Sequence, residues 1–138
     1  MFLVAGLLAF RPSPVSEVPP LQPSRPVMPA IEPVPVTVEG EVRLTLAEMG
    51  RDDQAIDCAL AIFQHESGLR LDVRGDGGES YGLGQRHAPA HGVPPEPWEV
   101  ADQVVWFDDY AHDRYGSWCA AHDRWQQRAA ERGGAGWW

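Results

Sequence analysis

The 138-residue chain contains no lysine and no asparagine, only two cysteines, and no uninterrupted apolar run longer than the ten residues that open it. Each shortage excludes something. With all 11 basic residues being arginine against 20 acids and a net charge of -9, a nucleic-acid backbone is excluded as the main partner, because such a partner requires a broad positive surface. Lysine and asparagine share A-rich codons, so a GC-rich coding sequence accounts for their joint absence. Two cysteines are too few for a thiolate metal centre. Ten apolar residues fall short of the span of a bilayer, and no other segment comes closer, so no stable membrane span is expected.

Proline is unevenly spread. Nine of the 13 prolines lie between Pro12 and Pro35, and their fixed φ and missing amide donors make the surrounding sequence an extended, semi-rigid spacer. Three segments follow: an apolar, signal-like stretch at 1–10, which lacks a basic leading region; a proline-rich linker at 11–40; and a folded domain at 41–138. Such a domain, about 95 to 100 residues, buries only a small core. The wide spacing of Cys58 and Cys119 suits one disulfide, which contributes about 4 kcal/mol by closing a long loop and implies an oxidising compartment.

Within the domain, Ile56, Leu60 and Phe63 recur at helical spacing from Asp52 onward, with Ala59 and Ile62 widening the apolar face. Asp52 or Asp53 caps the start and Gly68 ends the helix in the left-handed conformation. Residues 69–95, rich in glycine and proline, predict turns and at most a small hairpin. Val100, Val104, Phe107 and Ala111 define a second helix stopped by Gly116. Ser117 caps a third, with Trp118, Ala121 and Trp125 on one face. The expected fold is mainly α, three main helices around a glycine-rich loop or small hairpin, with one disulfide.

The stretch "QHESG" at 64–68 places Glu66 in the last turn of the first helix. A carboxyl group at the negative end of the helix dipole, in a partly dry site, keeps its proton, which is the state a general acid needs. Downstream, "SYGLGQ" offers close backbone approach at Gly82 and Gly84, a flat ring at Tyr81 and a two-way amide at Gln85. Other signals fail. "HES" lacks the second histidine of a zinc-protease helix, since Leu69 stands there. Pro89 between His87 and His91 argues for a loop. "DVRGDGGESYGL" lacks the glutamate that closes a calcium loop.

In combination, "CALAIFQHESGL", "SYGLGQ" and the aromatic C-terminal helices over about residues 52–138 resemble the lysozyme-like transglycosylases. The likeness is to small secreted transglycosylase-like and resuscitation-promoting-factor-like domains, and more distantly to soluble lytic transglycosylases and goose-type lysozyme. The resemblance implies an α+β lysozyme-like fold and cleavage of peptidoglycan glycan strands, as a lytic transglycosylase or muramidase, by a monomer that needs no cofactor or metal. Glu66 would be the catalytic acid, Ser67 would hold the helix end, and Tyr81, Gly82, Leu83 and Gln85 would form the groove wall facing it. Sugar rings would stack on aromatics drawn from Tyr81, Trp98, Trp106 and Tyr110. Asp72, Asp76 and Glu79 are alternatives for a second, water-orienting carboxylate. Two departures stand out: Gly84 occupies a position the family usually fills with a bulky apolar residue, and Tyr110 or Tyr115 must substitute for a tyrosine-asparagine motif. These departures also suit a different class, a non-catalytic cell-wall-binding module. Either way the expected location is secreted or wall-associated, with a bacterial or phage gene.

Overall fold

The computed structural model describes Ser13 and residues 36–133. The apolar segment at 1–10 and the rest of the proline-rich stretch through Pro35 lie outside the described residues. Among these, five α-helices and three short strands follow in the order α1 (Val38–Glu48), α2 (Asp53–Ser67), β1 (Arg74–Gly75), β2 (Ser80–Tyr81), β3 (Arg86–His87), α3 (Ala88–His91), α4 (Val100–Tyr115) and α5 (Trp118–Glu131). The protein is mainly helical, with a small antiparallel sheet. No described helix is long and apolar enough to cross a membrane.

Helix α1 is a departure from the sequence reading, which ran the linker to residue 40. Thr37 accepts a hydrogen bond from the Gly40 amide at 3.0 Å, so residues 38–40 are already helical. Val42 and Leu46, one turn apart, are fully buried, and Arg43 joins Glu39 (3.0 Å) to Asp57 of α2 (3.1 Å). Its signal is weak because Gly40 and two β-branched residues, Val38 and Thr45, dilute the helical pattern.

Helix α2 has the predicted ends. Asp52 accepts from the Ala55 amide at 2.8 Å, and Gly68 adopts the left-handed conformation with φ 62°. Its apolar face carries Phe63, which meets Phe107 of α4 and Trp118 of α5 edge-on at 5.6 and 5.3 Å between ring centres. Ser117 accepts from the Ala120 amide at 3.1 Å to start α5. Cys58 and Cys119 form the disulfide, with Cα atoms 5.1 Å apart, so α2 and α5 are joined covalently as well as packed.

Two buried polar centres tie the elements together. Asp108 of α4 is fully buried and accepts two hydrogen bonds from the Arg51 guanidinium (2.9 and 2.6 Å) and one from the Trp118 indole (2.7 Å). Burial alone would raise its pKa; these donors, with the Arg51 charge, outweigh it and hold the carboxyl below its ordinary value. Gln103 of α4 accepts from the Leu83 amide at 2.8 Å and donates to the Trp98 carbonyl at 2.8 Å. Gly82 is obligatory beside it: φ is 74°, and a Cβ there would overlap the Gln103 amide and crowd Trp98.

The glycine-rich segment forms more than a hairpin. Strand β2 pairs with both β1 and β3, with Arg74 opposite Tyr81, Gly75 opposite Ser80, Ser80 opposite His87 and Tyr81 opposite Arg86. Side chains alternate across a strand, so Ser80 and Tyr81 leave the sheet on opposite faces.

Candidate functional site

Glu66 occupies the last turn of α2. Its Oε1 accepts a hydrogen bond from the Trp125 indole at 3.1 Å, and Trp125 stacks on His65 at 4.1 Å. The disulfide fixes this arrangement: from Cys58 and Cys119 the two helices run onward together until Glu66 and Trp125 meet. Burial pushes the Glu66 carboxyl up to about 7; the negative charge of Asp76 adds to the effect, while the Trp125 hydrogen bond opposes it.

Glu66 lies in the wall of a cleft of about 610 Å³. One side comes from the sheet segment: Asp76, Ser80, Gly84, Gln85, Arg86 and His87. The other comes from α4, with Trp106, Tyr110 and Arg114. Trp106 and Tyr110 are stacked, 5.4 Å between centres and 11° between planes. Asp76 accepts from the Ser80 hydroxyl, and His87 Nδ1 lies 3.4 Å from that hydroxyl and 4.0 Å from the Asp76 carboxylate. Asp76 and Gln85 both have positive φ, 50° and 56°. For Gln85 this geometry is held by its own side chain, whose amide donates to the carbonyls of Gly82 (2.9 Å) and Val73 (3.2 Å).

The structure separates the residues that the sequence grouped. Gln85 and Tyr110 share the cleft with Glu66, as does Gly84. Tyr81 and Gly82 do not; they line a second cleft of about 290 Å³ with Asp72 and Trp98, and the Tyr81 face is covered by the Arg74 guanidinium 3.8 Å above it. Leu83 is fully buried in the core. Ser67 is buried too and secures the helix end, donating to the Phe63 carbonyl at 3.1 Å and accepting from the Arg70 amide at 3.3 Å. The strip is divided because residues 82–85 form a turn, with positive φ at Gly82 and Gln85, and a continuous wall from Tyr81 to Gln85 does not exist.

No family model, curated protein or solved structure matches this chain. Its functional reading therefore rests on the cleft.

Of the three acids considered as a second carboxylate, Asp76 is the one in the cleft with Glu66; Asp72 lines the other cleft and Glu79 lines neither. Tyr110 lies in the cleft, whereas Tyr115 stands behind it, edge-on to Tyr110 at 6.3 Å. The region around Pro89 is one helical turn, α3, with the proline in its first positions, where a missing amide costs nothing. This overturns the expectation of a loop there. Arg86, His87, His91 and Arg114 were not expected in the cleft; the one available signal was arginine next to the glycine-rich strip in an acidic chain.

A group that keeps its proton near neutral pH, with a second acidic side chain and a flat aromatic pair in the same trough, has the chemistry to donate a proton there.

Proposed function

We propose that the protein cleaves peptidoglycan glycan strands between N-acetylmuramic acid and N-acetylglucosamine, with Glu66 as the general acid. The observation that carries this reading is the Glu66 carboxyl, pushed up to about 7 by burial in a cleft walled by stacked Trp106 and Tyr110. The carboxyl group donates its proton to the glycosidic oxygen as the bond from that oxygen to the anomeric carbon breaks, and the neighbouring 2-acetamido group of the sugar stabilises the resulting cation. Glu66, now ionised, then takes a proton either from the 6-hydroxyl of the same sugar, giving an anhydro end, or from water, giving a reducing end. Asp76 in the same cleft supports the water route, because a second carboxylate can orient the attacking molecule.

A secreted or wall-associated location belongs to the same proposal and draws support from the Cys58–Cys119 disulfide. The test is digestion of purified cell wall by the wild type and by Glu66→Gln, with products analysed by mass spectrometry. The wild type should release muropeptides and the variant should not; anhydro or reducing ends identify the route. Equal release by both, or release by neither, rules the reading out. Undiminished sedimentation with the wall in that last case would mark a binding module instead.

A further inference from the structure

The cleft is electrically divided. Glu66 and Asp76 lie in one part of it, while Arg86 and Arg114 flank the stacked Trp106 and Tyr110. The Arg86 guanidinium sits 4.6 Å from the Trp106 ring centre and that of Arg114 5.8 Å from Tyr110. Of the other arginines, Arg43, Arg51 and Arg74 each pair with a carboxylate, while Arg70 donates to the Ser67 carbonyl and Arg124 to the Gln127 side chain. Arg86 and Arg114 do not pair with any carboxylate among the described residues, although the chain has 20 acids for 11 arginines. Arg86 donates through Nη2 to the His91 carbonyl, and its Nε is buried with no hydrogen-bond partner. Arg114 donates through Nε to the Tyr115 hydroxyl at 3.0 Å. The surroundings of His91 show the same local sign: burial first, then Arg86, Arg114 and His87, hold its pKa below the ordinary value.

We infer that Arg86 and Arg114 form a carboxylate subsite beside the Trp106–Tyr110 stack, which takes an acidic substituent of the glycan strand. The inference rests on the glycan-cleavage reading and names what the strand must carry. Planar guanidinium groups match a carboxylate with paired hydrogen bonds, and packing over aromatic rings fixes their direction in advance. A positive recess in a molecule of net charge -9 also lets a polyanionic strand approach a surface that would otherwise repel it. Two sources offer the group: the lactyl carboxylate of a peptide-free muramic acid, and the acidic residues of an attached stem peptide.

The experiment measures binding by calorimetry to the full chain carrying Glu66→Gln, so that nothing is cleaved. Three soluble oligosaccharides of equal length serve as probes: an uncharged N-acetylglucosamine oligomer, a peptide-free strand with lactyl carboxylates, and a peptide-bearing strand. At least one acidic probe should bind about tenfold more tightly than the uncharged one, the size of a single charge-assisted hydrogen bond; whichever it is identifies the source. Adding Arg86→Gln and Arg114→Gln should abolish that preference, lowering the affinity for the acidic probe about tenfold more than that for the uncharged oligomer. If the Arg86 variant unfolds, Arg114→Gln alone should reduce the preference at least about threefold, as expected for a more exposed contact. Equal affinities for all three probes, no binding of any, or a preference that survives both substitutions would overturn the subsite. Cleavage of the same probes by the wild type is read separately: failure to cleave condemns the enzymatic reading, whereas equal cleavage with equal affinity condemns only the subsite.

Discussion

Replacing Glu66 by glutamine should stabilise the fold near neutral pH and leave it unchanged at pH 4. In the folded protein the carboxyl titrates at about 7, against an ordinary value of 4.5. Below 4.5 both folded and unfolded chains hold the proton and burial of the neutral acid costs little. As pH rises from 4.5 to about 7 the unfolded chain releases its proton first, so stability falls; above 7 the cost is constant. At about 1.4 kcal/mol per pH unit, with allowance for water reaching a half-buried group, the cost comes to about 2 to 3 kcal/mol. Glutamine keeps the acceptor for Trp125 and carries no charge, so it escapes that cost. The assay is urea unfolding of both proteins from pH 4 to pH 8, followed by tryptophan fluorescence. The difference between them should widen by about 2 to 3 kcal/mol across this range, equivalent to about 10 °C or more in Tm for a domain of this size. Parallel curves would refute the reasoning, because the free energy that keeps Glu66 protonated is the same free energy that weakens the fold.

The neighbours of Glu66 should act with opposite signs: Asp76→Asn lowers its titration midpoint by removing a negative charge, and Trp125→Phe raises it by removing the hydrogen bond to the ionised form, both read by carboxyl NMR. Asp108→Asn should cost about 3 kcal/mol at pH 7, since Arg51 then loses its carboxylate. Because the Asp108 carboxyl is held below its ordinary 3.8, its contribution is complete above that pH and is lost as pH falls further, so the variant's stability should decline less on acidification. Replacing both Cys58 and Cys119 by serine should cost about 4 kcal/mol, measured by thermal melts. Gly82→Ala, which combines overlap with Gln103 and a left-handed backbone, should cost about 3 kcal/mol, whereas Gly77→Ala, with open space around it and the same backbone sign, should cost about 1.

Much of the helical frame was legible because each part has a local signal. Asp52, Gly68, Gly116 and Ser117 mark boundaries through their own backbone or side-chain chemistry, and the faces of α2, α4 and α5 repeat at helical spacing over about two to three turns. Helix α1 escaped because it starts within five residues of the last linker proline and carries a glycine in its first turn. The sheet was legible only as a small hairpin, because two-residue strands are too short to show alternation and their pairing depends on turns with positive φ at Asp76 and Gln85. The cleft was only partly legible. Glu66 could be singled out by its position at a helix end, but Asp76, Arg86 and Arg114 reach it through long-range folding. The turn at 82–85 then sent Tyr81 to one cleft, Leu83 to the core and Gln85 to the other cleft, within a strip that reads as continuous. Asp108 and Gln103 look like surface residues in sequence; their partners, Arg51 at one and Leu83 and Trp98 at the other, are apparent only in three dimensions.

The most direct measurement is a pH titration of the Glu66 side-chain carboxyl carbon by NMR, with the resonance assigned through Glu66→Gln. The midpoint should fall at about 7, with the proton still largely in place at pH 6. A midpoint at the ordinary 4.5 would leave an ionised carboxylate where an acid is required, and the account of the cleft as a site of proton donation would be wrong.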